Sequence, residues 1–406
     1  MSSPTPAMET PARPILARTE ATESPPALTD ELLEEIFLHI ASPADLARAS
    51  TACVSFRRLI ADRNFLRRYR SLHPPLLLGL VCGARGPRDI QPPEAPHPSA
   101  RVAHVLASAG SFSFDYLPPA SWHRWEPLDV RGGRILLMSD PGGYEGLIDL
   151  VHSDLAVCDP VFQRYLLLPP IPDDLLASVQ LLDQKPWWFV PLLVPSGDDE
   201  NETSFRVIGV ANGTSKAVVI VYSSGSGCWS VGSSTSWDDP GLHLEPWHLS
   251  EYHHYANGCF FWRLGIGNKL LKLVMNTMEF YTIDLPPGHN KPDIVIVEAG
   301  EGRLGVFSQV SPGTVCSYTM MQNDGERGNE WKMQSMISLP SHYIFDIKGA
   351  AEGYIFLLGR TNVRDTVCFS LEIKTSKIER VSRICDSHYD FYPYFGFPPS
   401  LSPKRI

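Results

Sequence analysis

The chain lacks the long apolar runs of a membrane protein. Eighteen consecutive apolar residues occur nowhere in its 406 positions. Residues 1–26 contain neither the apolar stretch nor the basic start of a secretory signal. The sequence therefore predicts a protein of the cytoplasm or nucleus that does not enter a membrane.

Paired cysteines and the common catalytic motifs are also missing. The eight cysteines are scattered, and no two have the C-x-x-C spacing of a zinc or redox pair. The chain contains no G-x-S-x-G elbow, no H-E-x-x-H motif and no Walker-type phosphate loop. We expect reduced thiols, no catalytic site, no bound metal and no cofactor.

An excess of positive charge is the third absence. With 45 acidic against 35 basic residues the formal net charge is -10, which argues against nucleic acid or an anionic membrane as the main partner. Apolar residues interleave the one arginine-rich stretch, so we expect a solvated helix face there rather than an RNA-binding or nuclear-import signal. Its arginines are 57, 58, 63, 67, 68 and 70.

Sustained helical periodicity is confined to residues 27–72, and it predicts three short helices. Thr29 is expected to cap the first helix, with acidic residues following in its first turn. Ser42 and Pro43 have the order of an N-cap and a first helical residue. A third helix is expected after Cys53.

The apolar residues of the first predicted helix spread too widely for one packed neighbour. On a helical wheel they cover roughly 180°, against the ~100° stripe that one neighbour requires. They are Leu28, Leu32, Leu33, Ile36, Phe37 and Ile40. Each large apolar side chain left in water forfeits roughly 1.5–3 kcal/mol. Either a second protein or the rest of this chain is expected to cover that face.

The order of residues in this segment resembles the F-box. It reads Leu28-x-x-Glu31-Leu32-Leu33-x-Glu35-Ile36, then Ser42-Pro43-x-Asp45-Leu46-x-Arg48, then Cys53-x-x-Phe56-Arg57-x-Leu59-Ile60 and Phe65. Thr29 stands where the family usually has proline, and Phe56 replaces a usual tryptophan. Thr29 can still cap a helix, and Phe56 can still fill an aromatic pocket.

The resemblance implies that the segment docks onto the helical C-terminal region of a Skp-type adaptor, which binds a cullin and RING ligase. Carried over position by position, seven residues are expected in the F-box core or at the adaptor. They are Leu28, Leu32, Ile36, Pro43, Leu46, Val54 and Leu59.

Residues 73–400 have the texture of a large all-β domain. Many of the 36 prolines and 30 glycines of the chain punctuate short runs of β-branched and aromatic residues here. Several segments repeat one unit, in which a glycine opens an apolar strand and a Leu-Pro turn closes a later one. The openings are Gly133, Gly258, Gly302 and Gly353, and the closures are Leu168-Pro169, Leu285-Pro286 and Leu339-Pro340.

The later openings are roughly 45–50 residues apart, a spacing that suits four strands per unit. Units of four strands predict a β-propeller, with a pair of β-sandwiches as the alternative. Another blade is expected from Phe205 through Tyr222 to Val231. The number of blades stays open between five and six. A long loop is expected at about 83–100, a disordered leader at 1–26 and a tail at 401–406.

This region resembles the propeller-like domain that follows the F-box in a large class of plant F-box proteins. The likeness rests on Ser111-Phe112-Ser113-Phe114-Asp115-Tyr116-Leu117-Pro118, on the strands after Gly133 and Leu155, and on the blade that begins at Phe205. The resemblance implies a substrate-recognition subunit of a Skp-cullin-F-box (SCF) ubiquitin ligase, with a target protein bound by the β-domain. The alternatives are a propeller enzyme and an F-box scaffold that acts outside a ligase.

Two further clusters have residue types that can form sites. His243, His248, His253 and His254 are the densest group of potential metal ligands, but strand and loop residues are the ordinary explanation of such a group. Trp187-Trp188-Phe189 could anchor a partner if exposed, and burial in a blade is the expectation we favour.

Overall fold

A computed structural model gives the fold of the chain. The residues that it describes are 28–83, 89–109, 112–120, 124–139, 151–179, 188–195, 204–213, 215–238, 249–264, 268–286, 294–311, 315–324, 328–361, 365–384, 391–398, 401 and 406. The predicted leader, 1–26, lies outside them.

Four helices form the N-terminal part of the described chain: α1 (Asp30–Leu38), α2 (Pro43–Ala49), α3 (Val54–Ile60) and α4 (Arg63–Leu72). The caps predicted from sequence are confirmed. The Thr29 side chain accepts from the Leu32 amide, and the Ser42 side chain accepts from the Asp45 amide. Cys53 caps α3.

Helix α4 corrects the expectation of three helices. Asp62 Oδ1 accepts hydrogen bonds from the amides of Asn64 and Phe65, so a new helix begins directly after α3 ends. The arginines from 63 to 70 therefore lie on a helix of their own. Phe65 and Tyr69, one turn apart on that helix, face a buried core.

The four helices share one core. Phe37 of α1, Leu46 of α2, Ile60 of α3 and Tyr69 of α4 are all buried in it. The Tyr69 hydroxyl donates to Ile40 O at 2.8 Å. We call residues 28–72 the helical domain.

After the helical domain, the described residues form five four-stranded antiparallel sheets, which we number in chain order as blades I to V. In each blade the strands are neighbours in chain order. The strands are β3 (Trp125–Arg131), β4 (Arg134–Ser139), β5 (Leu155–Asp159) and β6 (Arg164–Leu167) in blade I; β7 (Trp188–Val194), β8 (Arg206–Asn212), β9 (Lys216–Ser223) and β10 (Cys228–Ser236) in blade II; β11 (Leu249–Ala256), β12 (Cys259–Leu264), β13 (Lys269–Val274) and β14 (Glu279–Asp284) in blade III; β15 (Ile294–Glu298), β16 (Leu304–Ser311), β17 (Val315–Asp324) and β18 (Gly328–Ser338) in blade IV; and β19 (Ile344–Ala351), β20 (Tyr354–Arg360), β21 (Thr366–Glu372) and β22 (Ile378–Arg383) in blade V.

A three-stranded sheet joins the two ends of the β-domain. It contains β1 (Leu76–Cys82), β2 (Ile90–Gln91) and β23 (Phe391–Gly396), in the order β2-β1-β23. One set of its side chains, including Leu77, packs on blade V, and another set, including Leu78, packs on blade I. We call it the closing sheet, because it lies between the last blade and the first.

The arrangement is a β-propeller, as the repeated unit predicts. A buried apolar cluster lies between each pair of neighbouring sheets around the ring. First strands of neighbouring blades contact one another, as β3 does with β7 and β15 with β19, so they line the centre. The sandwich alternative is wrong, because two packed sheets would not enclose such a cycle of clusters.

The repeated glycines lie in the turn between the first and second strands of a blade. Gly258 and Gly353 have φ values of +71° and +82°, and the residue before each also has a positive φ. Two such residues in succession give the hairpin turn whose twist suits antiparallel strands. Gly133 and Gly302 also have positive φ in the corresponding turns of blades I and IV.

The Leu-Pro closures also have a common place in the structure. Leu168, Leu285 and Leu339 directly follow the fourth strands of blades I, III and IV, and each is buried. A tryptophan on the outer strand of the following blade reaches the first of these closures, where Trp229 Nε1 donates to Pro169 O at 2.8 Å. The blade predicted from Phe205 to Val231 is blade II, to which the structure adds β7.

The described residues of the β-domain include two short helices, α5 (Ala100–Ser108) and α6 (Asp173–Ser178). Helix α5 packs against β1 and buries Ala103 and Leu106 beside the closing sheet. The stretch expected to be a long loop at about 83–100 contains β2 among its described residues.

Candidate functional site

Three large apolar side chains at the start of the helical domain, on α1 and just before it, are about half exposed. Leu28, Leu32 and Ile36 are 56%, 54% and 49% exposed. Leu32 and Ile36 are one turn apart on the same face of α1, and Leu28 directly precedes the N-cap Thr29. We call these three residues the exposed stripe.

Helix α1 therefore has apolar residues on two faces. Phe37 and Leu38 are buried in the helical core, where Leu33 and Ile40 also pack. The exposed stripe has no such cover among the described residues. This agrees with the wide apolar arc in the sequence, which one packed neighbour could not bury.

Ion pairs hold α1 against the other helices. Arg58 of α3 bonds Asp30 at 2.9 Å, and Arg68 of α4 reaches Glu34 at 2.6 Å and Glu35 at 2.8 Å. Exposed pairs of this kind contribute about 0–1 kcal/mol each. Their effect here is geometric, because they bring the start of α1 beside α3.

Val54 extends the apolar surface onto α3. It is the first residue of that helix and is 81% exposed. Arg58, one turn further along the same helix, is bonded to Asp30, which lies between Leu28 and Leu32 in sequence. Val54 therefore stands on the side of α3 that meets the first turn of α1.

The seven residues singled out from sequence fall into three groups. Leu28, Leu32, Ile36 and Val54 are exposed, whereas Pro43 and Leu46 are buried and Leu59 is partly buried. The arrangement can bind an apolar groove through the first group, while the second supports it from inside.

A polar cluster inside the ring was not anticipated. Asp129 on β3 is 3% exposed and accepts hydrogen bonds from Arg131 Nε at 2.9 Å and from the Leu193 amide at 3.0 Å. His253 Nε2 of blade III lies 3.9 Å from its other oxygen. One carboxylate thus connects the first strands of blades I, II and III.

The environment of Asp129 keeps it ionised. Burial alone would raise its pKa, but the Arg131 guanidinium and His253 outweigh that effect and hold the pKa at about 2. The same guanidinium lies 5.4 Å from the centre of the Tyr255 ring. A carboxylate held in this way joins the first strands of three blades.

The other candidates from sequence lie partly outside the described residues. His243 and His248 lie outside the described residues, while His253 and His254 are consecutive on β11 and point to opposite faces. Among the described residues, no group of three His, Cys, Asp or Glu side chains is placed to hold a metal. Phe189 is buried between blades I and II, and the Trp187 and Trp188 side chains lie outside the described part.

No helix in the described part of the chain is long and apolar enough to cross a membrane. The fold and this surface define a β-propeller protein with an N-terminal helical domain.

Comparison with known proteins adds likenesses of fold alone. No family model and no curated protein matches the chain. TolB from Acinetobacter baumannii is similar at 8% identity and TM-score 0.37, covering 67% of this chain and 57% of TolB. A lectin of Aleuria aurantia is similar at 11% identity and TM-score 0.34, covering 63% of this chain and 76% of the lectin. The WD40 domain of SCAP from fission yeast is similar at 10% identity and TM-score 0.29, covering 70% of this chain and 73% of that domain. At these values no activity or partner passes from those proteins to this chain.

Proposed function

We propose that the chain is the substrate-recognition subunit of an SCF-type ubiquitin ligase. The helical domain docks onto a Skp-type adaptor, and the propeller binds the protein to be ubiquitinated. The observation that carries the proposal is the exposed stripe, since Leu28, Leu32 and Ile36 match positions of the F-box pattern and are about half exposed.

The stripe supports docking on energetic grounds. About half of each side chain is in water, so covering all three would contribute about 3 kcal/mol at roughly 1.5–3 kcal/mol for complete burial of one. Val54 adds to this. A partner with an apolar groove gains that energy without unfolding any part of the helical domain, because the core residues of α1, such as Phe37, lie on a neighbouring face of the helix.

The propeller would hold the target. Five blades and the closing sheet offer a rigid ring with its loops at the edges, and loops on rigid scaffolds commonly carry binding residues. Ubiquitin transfer would then accelerate because target lysines are kept at high effective concentration near the conjugating enzyme. In this role the chain makes and breaks no covalent bond.

Co-purification with a Skp-type adaptor tests the proposal. The native chain should form a stoichiometric complex, and Leu32→Asp together with Ile36→Asp should abolish it while the propeller stays folded. Val105→Asp is the matched control, because Val105 is an apolar residue 65% exposed on α5, outside the helical domain. Failure of the native chain to bind the adaptor at micromolar concentration would refute the proposal.

A second measurement separates ligase from scaffold. Cullin should join the complex when adaptor and cullin are both supplied, and its exclusion would favour a scaffold that works outside a ligase. Proximity labelling in cells, compared between the intact chain and one carrying the two aspartates, would then identify the target.

A further inference from the structure

Residues after the last strand pack into the core of the helical domain. Phe397 and Leu401 are 5% and 0% exposed and are buried with Phe37, Leu46 and Tyr69. The Leu401 amide donates to Pro398 O at 2.8 Å. We call Phe397, Pro398 and Leu401 the C-terminal strap.

The strap is also hydrogen-bonded to α4. Arg70 Nη1 donates to Leu401 O at 3.0 Å, although the two residues are 331 positions apart. The helical core is thus completed by a segment from the opposite end of the β-domain. Residues 28–72 alone would leave the pocket that holds Leu401 open to water.

The covalent connection between the helical domain and the ring is short. Helix α4 ends at Leu72 and β1 begins at Leu76. Between them, His73 Nε2 lies 2.7 Å from Leu38 O, and the His73 ring lies 4.3 Å from that of Tyr69. Pro74 and Pro75 follow, and each proline fixes its own φ.

Both connections reach the ring at the same place. Leu76, the first residue of β1, pairs with Gly396, the last residue of β23. The chain therefore leaves the closing sheet twice, on adjacent strands, and both exits lead into the helical core. A single short linker would allow the helical domain to turn about it, whereas two adjacent attachments oppose that rotation.

We propose that the C-terminal strap locks the helical domain onto the closing sheet and so holds the exposed stripe at one fixed position relative to the ring. Its consequence for ubiquitin transfer rests on the proposed function: a bound adaptor and a bound target would be kept at a constant separation. A fixed geometry that brings the two together gives a higher effective concentration than a freely turning one.

Two exposed native cysteines allow a direct measurement. Cys53 lies in the helical domain and Cys228 in blade II, and both are exposed. Spin labels at these positions, with Cys82, Cys316 and Cys385 replaced by alanine, report the distance between the helical domain and the ring through their dipolar coupling. The full-length chain is used, without an adaptor.

The native strap should give one narrow distance distribution. Leu401→Asp places a charge in the helical core and should broaden the distribution at least twofold. The matched control is Leu72→Asp, the same change at a leucine that is 62% exposed at the end of α4. That variant should remain as narrow as the native chain.

Circular dichroism at 222 nm shows whether the helices persist. If Leu401→Asp loses helical signal, Leu401→Ala takes its place and must broaden the distribution with the helices intact. The proposal would be overturned if the distance distribution of the native chain were already as broad as that of the strap variant. It would also be overturned if a folded strap variant kept a distance distribution as narrow as the native one. Because no adaptor is present, this result is independent of whether the chain binds one.

Discussion

Shortening Leu32 to alanine should weaken adaptor binding by about 1 kcal/mol. Leu32 is 54% exposed, so roughly half of its side chain is free to be covered by a partner. Complete burial of leucine contributes roughly 1.5–3 kcal/mol, and the exposed half therefore contributes about 1 kcal/mol. That is a rise of about fivefold in Kd. Adding Ile36→Ala should bring the rise to about 30-fold.

The matched variant is Leu46→Ala, from the same predicted set of seven residues. Leu46 is 0% exposed, so its loss should cost about 2–5 kcal/mol of folding free energy. The folded fraction of that variant should still bind the adaptor with nearly native affinity. Titration calorimetry gives Kd, and urea unfolding gives stability. A Leu32→Ala Kd within twofold of the native value would refute the assignment of the exposed stripe as the docking surface.

Three further predictions concern the ring. Asp129→Asn should destabilise the propeller by about 2–3 kcal/mol at neutral pH, because the pKa of Asp129 lies roughly two units below its usual value. The native chain should lose this stabilisation as the pH falls from about 4 to about 2. An Asn variant as stable as the native chain in urea unfolding would contradict the prediction. Burial lowers the pKa of His254, so the unfolded chain takes up a proton more readily than the folded chain. Folding stability should therefore fall as the pH drops below about 6.5. In the His254→Phe variant, folding stability should depend less on pH in this range. Trp229→Phe removes the hydrogen bond to Pro169 O and should cost about 1 kcal/mol in urea unfolding, with no effect on adaptor binding.

Local features of the fold could be predicted from the sequence. Thr29 and Ser42 cap their helices as expected, because an N-cap depends on residues only two or three positions away. The glycines of the repeated unit are likewise fixed by a turn of two residues, as at Gly258 and Gly353. Because that turn is repeated along the chain, the propeller could be predicted from the sequence.

Elements with mixed local signals were missed. In α4 the arginines outnumber the apolar residues Phe65 and Tyr69, whose spacing of four is helical, and the helix begins at a cap, Asp62, only two residues after α3 ends. Strand β7 contains Pro191, and a proline argues against a strand in a sequence-based assignment. In the structure β7 is the first strand of blade II, at the end of its sheet, where Pro191 pairs with Gly209.

The polar cluster around Asp129 had no sequence signal. The Asp129 carboxylate accepts a hydrogen bond from the amide of Leu193, which is 64 positions away, and His253 lies still further along the chain. Neither the type of these residues nor their spacing in the sequence predicts such a contact. Only closure of the ring brings the first strands of three blades close enough for one side chain to join them.

The sequence by itself determined where helices start, where hairpins turn, and that the apolar residues of α1 exceed what one neighbour can cover. The tertiary structure decided which of those residues stay in water. Leu32 and Leu46 are chemically identical, yet one is half exposed and the other is fully buried. Burial depends on what packs from elsewhere, and part of the cover of the helical core arrives with Leu401, from the other end of the chain.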